Sequence, residues 1–312
     1  MIGSVYWMKL ESTDIFKNQN YRNGVVVDEE NLFKLKKVLL NMLSEFDDVC
    51  TRYNLYYSLC GGSLLGAIRH NGFIPWDEDV DVFMTRDSYN KFIDVYNNEL
   101  SSKYTLHSPE MNPQDGMPLA QLSLNGTIYR TQLAPNRKNP GIFIDIFIIE
   151  NVPDNYMLRM IHCFFSMLTG FMLSCTRMYK DKFDLMTFFS NADVQTIKML
   201  KNKIFIGSII NKLISLKSIC KINNLVNSFY NKNNTKYVAC PSGRRHYCGE
   251  IFERKYIMDV TRHPFEGLKL CTMKNADYYL SKMYGDDYMT PPAVDKREVH
   301  CVVELDLGKC NS

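Results

Sequence analysis

One continuous segment of this chain, Cys60–Met84, constrains its fold more than any other, because it places glycines, a short helix and acidic residues in one order: CGGSLLGAIRHNGFIPWDEDVDVFM. The apolar residues before it predict a strand over 55–59. Gly61, Gly62 and Ser63 then predict a turn whose backbone N–H groups form an anion-binding nest. We expect Ser63 to cap a short helix over 64–69, whose N-terminus favours phosphate.

The acidic run that follows predicts a strand over 79–84, with Asp79 and Asp81 on the same face. Two neighbouring carboxylates repel each other, and a divalent cation that prefers oxygen ligands, Mg²⁺ or Mn²⁺, removes this repulsion. A phosphate-binding turn followed by a strand with two carboxylates is typical of metal-assisted phosphoryl or nucleotidyl transfer. The alternative is a solvated acidic edge strand beside a chance glycine turn.

A second important strand is predicted over 141–150, with the sequence GIFIDIFIIE. Asp145 stands there among isoleucines and phenylalanines, and a strand that is apolar on both faces is a buried one. A buried carboxylate needs a cation or hydrogen-bond donors. We therefore expect Asp145 to complete the metal site of Asp79 and Asp81; the alternative is a structural Asp145 that accepts hydrogen bonds from a loop.

The block GGSLLGAIRHNGFIPWDEDVDVFM resembles the signature of the LicD family, which includes bacterial phosphocholine transferases and the fukutin-type enzymes that move ribitol phosphate. Weaker similarity follows at GIFIDIFIIE and at YGDDYMTPPAVDKREVHCV. The resemblance implies an α+β fold with a nucleotidyltransferase-like mixed sheet over roughly 50–150, and a third carboxylate supplied by a neighbouring strand. It also implies transfer of a phosphorylated alcohol, phosphocholine first among them, from a CDP-linked donor such as CDP-choline to a hydroxyl of a cell-surface glycan or glycolipid, with release of CMP.

In this interpretation Asp79, Asp81 and Asp145 are the catalytic residues and the ligands of Mg²⁺ or Mn²⁺, and the Gly61–Ser63 turn seats the donor phosphates. Further donor contacts are predicted for Arg69, His70 and Trp76. Two other enzymes remain open: a nucleotidyltransferase that uses an NTP, and a phosphotransferase that uses CDP-ribitol or CDP-glycerol. A non-enzymatic glycan- or nucleotide-binding protein is the third alternative.

Several basic residues outside the central block are candidates for anion binding. Arg244 and Arg245 follow Ser242-Gly243, where a glycine turn and two arginines can hold a phosphate; exposed, solvated arginines are the alternative. The Asn125-Gly126 pair predicts a type I′ hairpin. Arg130, Arg137 and Lys138 at or just past it are expected to be solvated surface residues; contact with phosphate or a sugar acid is the alternative.

The C-terminal segment departs from the family pattern at one position. Arg297 and His300 hold the places of a basic residue and a histidine, but Cys301 stands where the family often has a second histidine. His300 is therefore only a candidate site residue.

The rest of the chain predicts three regions: an N-terminal segment (1–27), a catalytic core (28–152) and a mainly helical C-terminal part (153–312) that completes the acceptor side. Asp28 predicts the start of a helix with an apolar stripe that covers the sheet. The helical pattern over 153–236 carries many lysines and fits either a packed subdomain or a basic amphipathic surface in peripheral contact with the inner membrane surface. The longest apolar run, 160–175, is shorter than the roughly 20 residues of a membrane span.

The chain's 312 residues carry a net charge of +3 and no nucleic-acid-binding module, so no nucleic-acid partner is expected. The N-terminus lacks a signal-peptide pattern, and the ten cysteines without paired spacing predict reduced thiols in a cytoplasmic protein. Cys240, His246 and Cys248 raise the possibility of zinc, but their spacing fits no standard zinc site.

Overall fold

The computed structural model describes residues 27–131, 136–294, 297 and 302–308. The helices are α1 (Glu29–Arg52), α2 (Gly61–His70), α3 (Arg86–Val95), α4 (Tyr156–Lys180), α5 (Lys182–Phe188), α6 (Val194–Leu213), α7 (Leu216–Asn227), α8 (His246–Gly249), α9 (Arg254–Met258) and α10 (Ala276–Tyr284). A π-helical turn (Tyr96–Leu100) extends α3, and a 3-10 turn spans Pro113–Asp115. The strands are β1 (Tyr57–Leu59), β2 (Asp81–Thr85), β3 (Tyr104–His107), β4 (Ala120–Leu124), β5 (Ile128–Thr131), β6 (Phe143–Val152), β7 (Tyr237–Ala239), β8 (Ile251–Glu253), β9 (Val260–Phe265), β10 (Leu268–Met273) and β11 (Val302–Asp306).

Helix α1 begins where its sequence predicts. Asp28 is the N-cap and its carboxylate accepts a hydrogen bond from Asn31 N at 2.8 Å, while Glu29 and Glu30 complement the helix dipole in the first turn. The apolar stripe of the helix, including Leu35 and Phe46, is buried in the same core as the sheet. The prediction that this helix covers the sheet is confirmed.

A mixed sheet with helices packed around it confirms the predicted α+β fold. Its strand order is β1-β2-β6-β4-β3. The β2–β6 pair is parallel, whereas β1–β2, β4–β6 and β3–β4 are antiparallel. The far end of β6 continues past the others and pairs with β7, which pairs with β8, so residues 237–253 add to the same sheet. Strand β6 therefore lies at the centre, as its apolar sequence indicates.

The predicted hairpin at Asn125-Gly126 is wrong. Both edges of β4 are already occupied, by β3 on one side and β6 on the other. The chain turns after Leu124, Thr127 Oγ1 donates to Leu124 O at 2.8 Å, and β5 leaves the sheet to pair with β11 instead. A turn signal fixes the turn but cannot tell which strands pair across it.

The helical pattern predicted over 153–236 is confirmed by α4, α5, α6 and α7. Helix α4 lies between α6 and α7, where its side chains pack in small apolar clusters. Among the described residues, α4 alone is long and apolar enough to cross a membrane, with 25 residues and a mean hydropathy of 1.4 over its most apolar window. The apolar run over 160–175 lies within this helix, which continues past the run at both ends.

Candidate active site

The glycine segment is the first turn of α2 rather than a turn before a helix. The helix begins at Gly61, with Cys60 at the N-cap position and without a side-chain cap, so the predicted capping role of Ser63 is wrong. Ser63 is buried, and its hydroxyl accepts a hydrogen bond from Asp81 N at 2.9 Å. Ser63 therefore ties the start of α2 to the start of β2.

The two glycines are required by the carboxylates beside them. Gly61 adopts a φ of +52°, and a Cβ built there would overlap Asp81 Oδ2 and stand 3.3 Å from Asp81 Cγ. A Cβ at Gly62 would lie 2.6 Å from Asp77 Oδ2. Any other residue would push these carboxylates away from the helix N-terminus, whose partial positive charge stabilises them.

Asp81 and Asp145 lie side by side on neighbouring strands. They are register partners in the parallel β2–β6 pair, and Asp145 N donates to Val80 O at 2.8 Å. The predicted strand over 79–84 begins two residues later, at Asp81, so Asp79 lies just before β2. Asp145 is half-buried, so its face of β6 opens toward the site instead of lying in the core.

Two tyrosines near these strands are influenced by the charges of several carboxylates. Burial raises the pKa of the Tyr129 phenol well above its usual value, and Glu78, Asp79, Asp77 and Asp145 reinforce the effect. Desolvation likewise raises the pKa of Tyr284 at the end of α10, with Asp81 and Asp77 contributing. The four aspartates therefore share one region, a concentration of negative charge that a cation would stabilise.

A row of polar side chains crosses four strands at this level of the sheet. Asp81 pairs with Asp145, Asp145 with Gln121 on β4, and Gln121 with His107 on β3. Gln121 Nε2 donates to Asp145 Oδ1 at 2.5 Å, so the amide fixes the orientation of this carboxylate. Burial, followed by the charge of Arg137, lowers the pKa of His107 to about 4, so the imidazole is neutral at physiological pH.

Arg137 is part of this polar row, and the expectation that it would be solvated is wrong. It donates to Gln121 Oε1 and to Ser123 Oγ, the latter at 3.2 Å. Burial lowers the pKa of its guanidinium to about 10, which Asp145 partly offsets, so Arg137 stays charged at neutral pH. Arg130 supports it by donating to Arg137 O at 3.2 Å and pairs with Glu304, while Lys138 is exposed as expected.

Sequence reasoning missed Gln121 and Arg137 as site residues, although β4 carried a signal. Its polar residues, Gln121 and Ser123, alternate with buried leucines. This period of two shows that one face of the strand meets a polar site. Arg137 carried no such signal, because only the folded chain brings it over β4.

The donor-binding residues predicted after α2 form a second group. Arg69 and His70 occupy the last turn of the helix, at the opposite end from Gly61. Arg69 donates to His70 Nε2 at 2.9 Å and to Tyr288 O at 2.9 Å, and its guanidinium lies 6.0 Å from the Trp76 ring. Burial, then the charges of Arg69 and Lys36, lowers the pKa of His70, so it acts as an acceptor toward Arg69. The guanidinium of Arg297 also lies over the Trp76 ring, 3.9 Å from its centroid.

Arg244 and Arg245 have different surroundings. Arg245 donates to the carbonyl oxygens of Lys282 at 2.7 Å and Met283 at 2.8 Å, where it stabilises the C-terminal end of α10. Arg244 is exposed. Its positive charge lowers the pKa of Tyr284, which the charge of Asp81 raises. The phosphate-binding role predicted for both arginines remains a prediction, and His300 lies outside the described residues.

A disulfide joins Cys163 of α4 to Cys248 of α8. This corrects the expectation that all cysteines are reduced, and it removes Cys248 from any zinc site with Cys240 and His246. The free cysteines among the described residues are Cys50, Cys60, Cys175, Cys220, Cys240 and Cys271. The bond fastens the 241–249 segment to α4 and weakens the compositional argument for a cytoplasmic protein, because disulfides are rare there.

The site has the donor chemistry that Mg²⁺ prefers, because Asp79, Asp81 and Asp145 offer carboxylate oxygens. Within residues 27–131, 136–294, 297 and 302–308, no three His, Cys, Asp or Glu side chains already converge as a metal centre. The metal ligands therefore remain a prediction.

Comparisons with known proteins show which proteins this chain is similar to. Residues 54–166 match the family model described as LicD/FKTN/FKRP, nucleotidyltransferase domain. The chain is 32% identical over 282 residues to a lipopolysaccharide cholinephosphotransferase, LicD, of Haemophilus influenzae, covering 84% of this chain and 93% of that protein. It is also 39% identical over 44 residues to an uncharacterised protein of Rickettsia prowazekii, 14% of this chain and 16% of that protein.

Proposed function

The chain belongs to the LicD family, and we infer from this premise that it is a transferase that moves phosphocholine from CDP-choline to a hydroxyl of a cell-surface glycan and releases CMP. The observation that carries the proposal is the pairing of Asp81 with Asp145 at the N-terminus of α2. The relative's name supports choline phosphate as the transferred group and lipopolysaccharide as the acceptor type. The CDP-linked donor and the release of CMP are parts of the proposal.

The reaction would replace the phosphoanhydride bond of the donor by a phosphodiester bond to the acceptor. The acceptor oxygen forms a bond to the phosphorus of phosphocholine, the bond from that phosphorus to the bridging oxygen breaks, and CMP leaves with the electron pair. When bound, Mg²⁺ would neutralise charge on the donor diphosphate, and Asp79 and Asp81 are the residues that would hold it.

Asp145 is the residue that would act as a base or as a further metal ligand in this proposal. Its hydrogen bond from Gln121 sets its orientation, and Arg137 holds Gln121 in place. A carboxylate fixed in this way can take the acceptor's proton as the new bond forms. The first turn of α2 would orient the diphosphate, since helix N-termini favour negative charge.

The test is product analysis with a panel of donors. The protein is incubated with Mg²⁺ and with CDP-choline, CDP-ribitol, CDP-glycerol or an NTP, and CMP and pyrophosphate are measured separately. The proposal expects CMP, formed fastest from CDP-choline. CMP from another CDP-alcohol would change the transferred group, pyrophosphate from an NTP would indicate a nucleotidyltransferase, and binding without any product would indicate a binding protein.

We also infer that the helical part docks on the cytoplasmic surface of an anionic membrane, where a glycolipid acceptor would be presented. Several large apolar side chains of this part are exposed: Tyr156, Met157, Ile161, Phe164 and Phe165 on α4, Phe205, Ile209 and Leu213 on α6, Leu225 on α7, and Phe229 just after it. Exposed lysines accompany them at positions 198, 201, 212, 217 and 221, and the residues 194–236 contain no Asp or Glu. Apolar side chains among lysines fit the interface of a bilayer with anionic headgroups.

Vesicle co-sedimentation tests this docking. The protein should bind vesicles that contain phosphatidylglycerol, more weakly at high salt, and Phe164→Glu should reduce binding because Phe164 is 56% exposed on α4. Phe33→Glu is the matched control, since Phe33 is 61% exposed on α1, outside the helical part. Equal loss in both variants, or a stable dimer that covers the α4 surface, would contradict the membrane assignment.

A further inference from the structure

A cavity of about 270 Å³ lies where α4, α6 and α7 meet the 241–246 loop. Asn223 and Asn227 line it from α7, and Ser242 and Gly243 line it from the loop. Neither the glycine turn nor any of Asp79, Asp81 and Asp145 lines it. The Cys163–Cys248 disulfide links α4 to α8, which follows the 241–246 loop directly, so a covalent bond as well as packing holds these walls of the cavity together.

Basic side chains outnumber acidic ones among the titratable residues that line this cavity. Arg177, Lys203, Arg244 and His246 line it, and Asp181 is the acidic side chain among its lining residues. Lys203 is 2% exposed and donates to Ser174 Oγ at 3.4 Å, a long hydrogen bond. Burial lowers the pKa of Lys203, so its surroundings stabilise the ammonium less than water does. An anion in the cavity would compensate that charge.

The remaining wall is apolar and small. Met167, Phe171, Leu173, Met178 and Leu185 contribute to it. A volume near the low end of ligand-binding cavities suits a single ring rather than a whole nucleotide. The concentration of positive charge disfavours the quaternary ammonium of choline, so the preferred ligand carries a negative group on a compact body.

The charges of two residues that line the cavity reach side chains beside the carboxylate site. Arg177 acts on Arg137, whose pKa it lowers, and Arg137 binds the Gln121 that orients Asp145. Arg244, on the loop side, lowers the pKa of Tyr284, which the charge of Asp81 raises. A ligand held here would leave the metal-binding position free, because none of Asp79, Asp81 and Asp145 lines the cavity.

We propose that this cavity binds a phosphorylated sugar unit of the acceptor, with Lys203 and Arg177 contacting the phosphate and the methionine and leucine wall contacting the sugar ring. That the bound sugar phosphate belongs to the acceptor rests on the proposed transferase function. The binding of a sugar phosphate does not, and it can be measured without catalysis.

Direct titration by calorimetry tests the proposal, with glucose 6-phosphate, inorganic phosphate and CMP as separate probes at low ionic strength. Wild-type protein should bind glucose 6-phosphate more tightly than phosphate. Lys203→Met should weaken that binding roughly tenfold or more, because a hydrogen bond to a charged group is lost. Lys201→Met is the matched control, since Lys201 is exposed two residues away on α6, and it should bind like wild type.

Melting temperatures and a second variant guard against misfolding. Without ligand, Lys203→Met should melt at the same temperature as wild type or higher, because a buried charge is removed. Gly170→Leu fills the cavity from α4, where a Cβ meets nothing closer than Asn223 Nδ2 at 3.7 Å, and it improves helix propensity. It should block glucose 6-phosphate binding while the fold is retained.

The outcomes separate this proposal from the proposed function. Absence of glucose 6-phosphate binding in the wild type, or unchanged binding in both cavity variants, overturns the sugar-phosphate site even if the enzyme releases CMP from CDP-choline. Equal loss of CMP and glucose 6-phosphate binding in the cavity variants also overturns it, because the cavity would then be a donor subsite. Selective loss of glucose 6-phosphate binding supports it, even if no CMP-releasing activity is found.

Discussion

Replacing Gly61 by alanine should damage activity far more than stability. The added Cβ would overlap Asp81 Oδ2, which has to recede by about 1 Å to reach ordinary van der Waals distance. Because displacement of a reacting group by about 1 Å costs on the order of 100-fold in rate, Gly61→Ala should lower kcat by roughly that factor. The positive φ of +52° adds a strain of about 1–2 kcal/mol to the fold.

Gly267→Ala is the control for that strain. Gly267 has a φ of +84° and no atom within 4 Å of a built Cβ, so it should show a similar loss of stability without any contact to Asp81. The assay compares CMP release at saturating donor with melting temperature for both variants. If Gly61→Ala keeps a kcat within a few-fold of Gly267→Ala, the glycine does not serve to place Asp81, and the reasoning is refuted.

Three further predictions follow from the same site and its supports. Asp145→Asn should abolish most CMP release while keeping the melting temperature, since the amide can still accept from Gln121; a fully active, stable variant would remove Asp145 from the catalytic group. Mg²⁺ should raise the melting temperature and EDTA should reverse the rise, by mass action on the folded state, and no response in melting or activity would reject the metal. Burial raises the pKa of Glu250 from its usual 4.5 to about 7, so its contribution to stability is complete below pH 4.5 and is lost as pH rises through 7. At 1.36 kcal/mol per pH unit this amounts to about 3 kcal/mol, and Glu250→Gln should remove that pH dependence of the free energy of unfolding; an unchanged profile would show that Glu250 is not its source.

The parts of the site that the sequence predicted are those encoded by neighbouring residues. The order of Gly61, Asp81 and Asp145 is local to three short segments, and the apolar character of 141–150 predicts a central strand next to the acidic one. Register then places Asp81 beside Asp145. The predicted α1 and the helical 153–236 region were confirmed for the same reason, since hydrophobic periodicity is a local signal.

The parts that the sequence did not predict depend on contacts between distant segments. Ser63 was expected to cap a helix because serine often does so, but the folded chain uses its hydroxyl to hold Asp81 N. Arg137 was expected on the surface, and only the return of the 136–140 segment over β4 buries it. The two cysteines of the Cys163–Cys248 disulfide are 85 residues apart in the sequence, and no spacing pattern predicts a pair at that separation.

The most direct test of the central claim measures where the phosphorus of the donor goes. CDP-choline labelled in the choline phosphate is incubated with Mg²⁺ and acceptor glycan, and labelled glycan and CMP are counted together for the wild type, for Asp81→Asn and for Asp277→Asn, an exposed aspartate of α10. The account predicts equal amounts of labelled glycan and CMP from the wild type and from Asp277→Asn, and neither product from Asp81→Asn. Label transfer by Asp81→Asn at the wild-type rate, or CMP formed while the label remains in water-soluble choline phosphate with every acceptor glycan offered, would contradict it.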